Sequence, residues 1–374
     1  MLTRDSKVSR YKGDCLSHTS LKLLNSTYNS TLNPRLWSLR NMAEYRLDTT
    51  DELPHSPTTE TNFNESVYVN GWDAEKQYGG WMRIGNRVNE GHAEMQLCFY
   101  LPNGIIACQF LKPPIFSNEK FKANGLEYEV IKPFKHVCMN YNGPMFIVDD
   151  PDKLREPKSF FRDSESVEAD ITFELYGNSP VYGGEPIDEK LETMYGRDFS
   201  LGHFFQHTIT RGVVKIGKVH LNLDGYGWRD HSWGPRYWTN IFCYRLLIAN
   251  FGAHRGFTLL KLMQENGEIR TSGVLLVDNQ YESIKDLEIT TNWNKEFDPL
   301  QITVEVKTEY REAQLKGRVL TLAPLRNRRK VGESYLISRI AEGLTEWTWE
   351  GEKGIGISEY IERLKNGKPV GYPN

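Results

Sequence analysis

The chain has 374 residues, 39% of them hydrophobic and 25% charged, with a formal net charge of −3. At roughly 150 residues per domain this length points to two domains with buried cores, with one large β-domain as the alternative, and the composition excludes a disordered chain. A pI near 6.3 gives no electrostatic reason to expect a nucleic-acid partner. Aromatic residues reach 12%, with 9 Trp and 19 Tyr, which favours strands; the rings suit an apolar pocket, although core packing is their commoner use. No segment offers the roughly 20 consecutive apolar residues of a membrane span, so no integral membrane segment is expected. The N-terminus lacks an apolar signal region, so a reducing, cytoplasmic location is expected. Five scattered cysteines do not form a disulfide framework, and no CxxC or HExxH pattern marks a metal site.

Residues 1–60 are rich in Ser, Thr, Asn and Arg with little periodicity, and read as an extended or disordered tail. Met42-Ala43-Glu44 offers a second start, so residues 1–41 read as a reading-frame extension or a disordered tail. Core structure is expected from near Asn62. Strand signals follow at 66–70, 80–85, 93–100, 105–111, 126–131 and 145–148. An Asn103-Gly104 two-residue turn would set Pro102 opposite Ile105 and Cys98 opposite Gln109, sending the sulfurs of Cys98 and Cys108 to opposite faces. Another alternating strand covers 169–175. Residues 184–198 are irregular, with a helical hint only at Asp188 to Met194. Strands are then expected at 213–216, 219–223, 242–248, 257–264, 273–277, 284–290, 300–310, 314–322, 335–342 and 343–349. The basic run Arg326 to Lys330 reads as a solvated loop between two of them. Many short strands punctuated by turns predict sandwiches or barrels. The division is expected to give residues 61–208 and 209–374.

Four stretches could carry chemistry. In Trp228-Arg229-Asp230-His231-Ser232-Trp233, a strand presents 229, 231 and 233 on one face and 230 and 232 on the other. His231 could exchange a proton, and the Trp233 face could stabilise a cation by about 0.5–2 kcal/mol. On residue types alone a structural reading outweighs this one: Arg229 and Asp230 pairing across strands, Trp233 in the core. His203, Phe205 and His207 share a face; two His suit a metal, but the sequence places no third ligand, so satisfied or proton-relay imidazoles are favoured. Glu94 or Glu90 could act as an acid if burial raised its pKa, against a solvated loop or an Arg–Glu pair. Glu359 and Tyr360 close the last strand, either sealing a barrel seam or reaching a cavity. Serine-hydrolase and P-loop patterns are absent.

Taken in order, 64–68, 80–94, Asp150-Pro151, Gly202-His203, Gln206-His207, 225–236 and 356–360 resemble the hydroxyneurosporene-synthase-like superfamily. It includes carotenoid 1,2-hydratases, AttH-like proteins and, distantly, lipocalin-fold Diels–Alderases. The most specific part is Asp230-His231-Ser232-Trp233-Gly234, similar to an Asp-His-Asn-Trp-Gly stretch of the hydratases. The resemblance implies an all-β protein of two lipocalin-like antiparallel β-domains, with an apolar pocket within or between them. It implies work without cofactor or metal on an isoprenoid or polyene: hydration, cyclisation or pericyclic closure. A non-catalytic carrier of an apolar ligand is the remaining alternative. His231 and Trp233 match hydratase positions acting at the double bond, with Asp230 alongside. The hydratases' downstream Tyr-x-Asp has no match; Tyr244, Asp278 and Tyr281 are loose counterparts.

The combined expectation is an Asp230–His231 acid, with Trp233 and Trp228, Trp238 or Tyr237 stabilising a cation. His203, His207, Glu94, Glu359 and Tyr360 would contact a hydrophobic small-molecule substrate. All four stretches should then meet in one pocket. For Asp230 to join His231, the strand must bulge or end there. The chain is also compatible with a homodimer.

Overall fold

Alternating side chains with turn residues between them produce an antiparallel β structure of two sheets, the first closed into a barrel. The computed structural model describes residues 44–372 apart from Glu189 and Gly332. The expected extension at 1–41 and the Met42 start lie outside the described residues.

Twelve strands build the first sheet. In chain order they are β1 Tyr45–Arg46, β2 Phe63–Asp73, β3 Tyr78–Arg87, β4 His92–Tyr100, β5 Ile106–Leu111 and β6 Lys122–Ala123. They continue with β7 Leu126–Lys132, β8 His136–Val148, β9 Ser166–Gly177, β10 Tyr182–Pro186, β11 Gly202–Ile216 and β12 Val219–Pro235. Pairing runs β11-β12-β2-β3-β4-β5-β8-β9, and β9 returns to β11, so these strands close a barrel. The second sheet begins with β13 Ile241–Asn250, β14 Arg255–Gln264, β15 Ile269–Val277, β16 Gln280–Ser283 and β17 Asp286–Trp293. It ends with β18 Pro299–Lys307, β19 Glu312–Val331, β20 Ser334–Trp349, β21 Glu352–Lys365 and β22 Lys368–Pro369. Its order is β16-β15-β14-β13-β21-β20-β19-β18-β17.

Three apolar cores follow from this arrangement. Val67, Val69, Met82, Ile84 and Leu97 fill the first barrel. Leu247, Phe257, Trp347 and Tyr360 fill the second sheet's concave side. Between the sheets, Trp72, Trp81, Tyr100 and Trp228 meet Tyr244, Leu246, Leu344 and Ile357. β2 and β3 are therefore buried along almost their whole length, one face in the barrel and the other in the interface.

The expected all-β, lipocalin-like architecture is present, with five local differences. The expected division at 208/209 falls inside β11, whose hairpin with β12 belongs to the first barrel; the chain passes to the second sheet at 236–240. Residues 44–60 are not a tail. β1 pairs with β10, a 3-10 turn at Thr49–Glu52 is capped by Asp48, and Glu52 is fully buried. Cys98 stands opposite Cys108, because the connection is a longer loop in which Leu101 N–H donates to the Ile105 carbonyl; both thiols are free and buried. Among the described residues the α-helix is α1, Pro157–Asp163, while 188–194 contains no helix among its described residues. The basic run at 326–330 lies within β19. Among the described residues, no helix is long and apolar enough to cross a membrane.

One buried ion pair fastens the N-terminal segment inside the barrel. Arg229 Nη1 and Nη2 donate to Glu52 Oε1 and Oε2 at 2.5 and 2.9 Å, and the same guanidinium reaches Gln206 and Tyr128. Glu52→Gln leaves a buried charge without its counter-ion, an expected loss of roughly 3–5 kcal/mol that urea unfolding of the variant measures. Replacing both partners, Glu52→Leu with Arg229→Met, is expected to cost less than Glu52→Gln alone.

Candidate active site

β12 divides the polar residues between two cores. Its register runs without a break from Tyr226 to Trp233 against β11 and from Tyr226 to Pro235 against β2, so no bulge lets neighbours share a face. Arg229, His231 and Trp233 point into the first barrel. There His231 Nε2 lies 2.9 Å from Glu65 Oε1, and Trp233 stacks on His55 with centroids 4.1 Å apart. Trp228, Asp230 and Ser232 point the other way, towards the second sheet. The expected Asp230–His231 pair therefore does not form. Asp230 Oδ2 instead lies 3.3 Å from His203 Nε2 and accepts from the Tyr195 hydroxyl at 3.3 Å.

A cavity of about 440 Å³ opens between the sheets on this second face. The first barrel contributes Tyr68, Trp81, Arg83, Glu94, Trp228 and Asp230. The second sheet contributes Tyr244, Leu246, Ile340, Glu342, Glu359 and Ile361, and the connections add Tyr195, Phe199 and Trp238. The size suits a small molecule, and the lining offers it both aromatic rings and charged groups.

Two carboxyl groups face the cavity from adjacent strands, since Glu342 on β20 and Glu359 on β21 are direct cross-strand partners. Burial lifts the Glu342 carboxyl well above its usual range, and the neighbouring Glu359 charge adds to this against Arg83. Burial also pushes Glu359 up to about 7, opposed by Arg83 and reinforced by Asp230. Like charges this close disfavour double ionisation, so a proton is retained near neutral pH. Tyr244 lines the cavity with Glu359 and its ring stacks on Tyr195 with centroids 6.1 Å apart, so polar side chains follow one another from Glu359 through Tyr244 and Tyr195 to Asp230 and His203. Burial holds both phenols well above their usual range, keeping them protonated, and lowers His203 despite Asp230. Arg83 Nη1 donates to Glu94 Oε2 at 3.2 Å. Burial, then the like charge of Arg83, brings the Arg236 guanidinium down to about 9.

Of the residues singled out in the sequence, Asp230, Glu94, Glu359, Trp228 and Trp238 line the cavity, and His203 stands behind Asp230. The other residues lie elsewhere, so the four stretches meet at the cavity with only part of their expected residues. His231 and Trp233 occupy the barrel interior. His207 is buried against Asn250 and Thr258, and burial lowers it to about 4. Tyr360 packs in the second core, with its hydroxyl bound to Thr291. Tyr237 is exposed. Of the loose tyrosine and aspartate counterparts, Tyr244 reaches the cavity; Tyr281 is bound to Ser179 and Asp278 sits in a turn. Glu342 and Tyr195 were missed. Glu342 did leave a signal: it interrupts the inward face Ile340-Glu342-Leu344 with a charge. Among the described residues, the trio of close donor side chains suited to a metal is His55, Glu65 and His231, away from the cavity.

The raised Glu342 carboxyl has a consequence for stability. The folded state holds the proton more tightly than the unfolded chain, so this group's contribution is present below the unfolded pKa and is lost as pH rises through the folded one. Glu342→Gln cannot ionise. Thermal melts are expected to show it more stable than the parent at about pH 8, with the gap closing towards about pH 4.

The fold is similar to that of known structures. The crystal structure of CghA matches with a TM-score of 0.54 at 10% identity, over 86% of this chain and 94% of that one. The crystal structure of CghA with Sch210972 matches with a TM-score of 0.54 at 10% identity, over 85% and 96%. Kievitone hydratase from Nectria haematococca gives a TM-score of 0.48 at 9% identity, over 85% and 96%. At these identities the likeness to CghA concerns the fold. No curated protein matches the sequence significantly. Residues 48–363 match the profile of a family described as a domain of unknown function, DUF7064, and the chain belongs to that family.

Proposed function

We propose that the cavity between the sheets belongs to an enzyme that protonates an alkene of a hydrophobic isoprenoid or polyene, followed by hydration or cyclisation, without a redox cofactor. The observation that carries this reading is the facing pair Glu342 and Glu359, which keeps a carboxylic acid inside an aromatic cavity near neutral pH. The substrate class rests on the sequence resemblance and on the aromatic rings of Tyr68, Trp81, Phe110, Trp228 and Trp238, which stand among the charged groups of the lining.

In this reading Glu359 is the acid. Its O–H bond breaks as the alkene π pair forms a C–H bond, leaving a carbocation on the substrate and a carboxylate on Glu359. The faces of Trp81, Trp228 and Tyr68 stabilise the cation, each by about 0.5–2 kcal/mol. In hydration, water bonds to the cation and its surplus proton passes to Asp230. The hydroxyls of Tyr195 and Tyr244 then return a proton to Glu359. In cyclisation, a second alkene of the substrate supplies the electron pair, and a proton lost from the neighbouring carbon takes the same route. Asp230 thus serves as the base of the cycle, and His203 as its positioning partner.

Glu359→Gln is expected to lower turnover of a polyene substrate by roughly 10²- to 10⁴-fold while the β circular-dichroism spectrum is retained. The parent's turnover should fall as pH rises through the Glu359 value of about 7, because the acid form is lost. Unchanged turnover in Glu359→Gln would remove the acid from the mechanism and favour ring closure by shape and hydrogen bonding. Tight ligand binding without conversion in the parent would indicate a carrier.

A further inference from the structure

On the far side of β12 from the cavity, His55, Glu65 and His231 converge inside the mouth of the first barrel. We propose that these three side chains bind a divalent transition-metal ion, zinc by the chemistry of the donors. This site is separate from the proposed catalytic cavity and stands or falls independently of it.

The donor set is two imidazoles and one carboxylate, a combination suited to zinc with a position left for water. Glu65 Oε1 lies 2.7 Å from His55 Nδ1 and 2.9 Å from His231 Nε2. All three donor atoms lie within 4.8 Å of one another. An ion with bonds of about 2.0–2.2 Å needs its ligands roughly 3.3 Å apart, within reach of side-chain adjustment. One nitrogen of each imidazole approaches the same carboxylate oxygen, and the ion would lie among these three atoms.

The surroundings supply what a metal site requires beyond its ligands. His55 Nε2 lies 3.3 Å from Asp51 Oδ1, so a carboxylate can fix the ring with Nδ1 directed at the ion. Glu65 Oε2 is held by Asn118 Nδ2 at 2.5 Å and by the His55 backbone N–H at 2.9 Å. His231 Nδ1 has no hydrogen-bond partner among the described residues. Phe121 and Phe204 stand edge-on to His231 at 5.2 and 5.4 Å, and Trp233 covers His55, forming an apolar shell. Glu65 and His231 are enclosed, whereas the His55 side chain remains 20% exposed and provides an entry path. A bound ion would fasten residues 51–55 to β2 and β12.

The test is metal content. The full chain is stripped with a chelator, incubated with zinc chloride, desalted and assayed for zinc. One zinc ion per chain is expected, together with a raised thermal midpoint. His55→Gln should lose stoichiometric zinc while keeping its β circular-dichroism spectrum. Asp51→Asn should bind zinc roughly 10- to 100-fold more weakly. His254→Gln, which changes an exposed histidine elsewhere, should bind like the parent. Absence of stoichiometric zinc in the parent, or full retention in His55→Gln, would overturn the site. Because none of these measurements reads turnover, failure of the metal site leaves the Glu359 acid untouched, and the reverse holds.

Discussion

The structure depends on strands that serve two cores at once. β12 and β2 each send one row of side chains into the first barrel and the other into the layer between the sheets. Period-two alternation makes the separation strict: adjacent residues cannot share a core unless the strand bulges, and β12 keeps its register through the polar segment. The Asp230-His231 dipeptide is thus divided between two unrelated environments. One residue faces a cavity and the other a closed polar knot.

Each environment solves the cost of burying charge differently. In the barrel mouth, Arg229 is matched by Glu52 and Glu65 is surrounded by donors, so the charges are compensated. In the cavity, Glu342 and Glu359 face each other with Arg83 as a partial counter-charge, and their protonation absorbs what pairing does not. The first arrangement rigidifies. The second keeps an acid available in a place from which water can be displaced, which is why the proposed chemistry is assigned to the cavity.

The chain before β2 completes the first barrel. Glu52, Asp51 and His55 come from a stretch whose polar, aperiodic composition reads as a tail. Their order comes from ion pairs and hydrogen bonds to residues far along the chain, such as Glu52 with Arg229, and local composition carries no mark of such partners. The same reasoning explains the Cys98–Cys108 register. Asn103-Gly104 suggests a two-residue turn, but the Leu101–Ile105 hydrogen bond closes a longer loop and moves the pairing by one residue.

By itself the sequence determined the fold class, because period-two patterning and turn punctuation are local properties of a chain that must bury one row of side chains per core. It also determined that Asp230 and His231 lie on opposite faces, and it marked Asp230, Glu94, Glu359, Trp228 and Trp238 as residues to watch. Which of the two faces meets a cavity was decided only by the tertiary structure. From Gly227 to Pro235 both rows of β12 are largely buried and both carry polar residues, so polarity does not distinguish the cavity face from the core face. The pairing of Glu342 with Glu359, the partnership of Asp230 with His203 and Tyr195, and the meeting of His55 with Glu65 and His231 depend on strand order and on contacts between distant segments. Those are set by how the sheets close and pack, and no spacing along the chain encodes them.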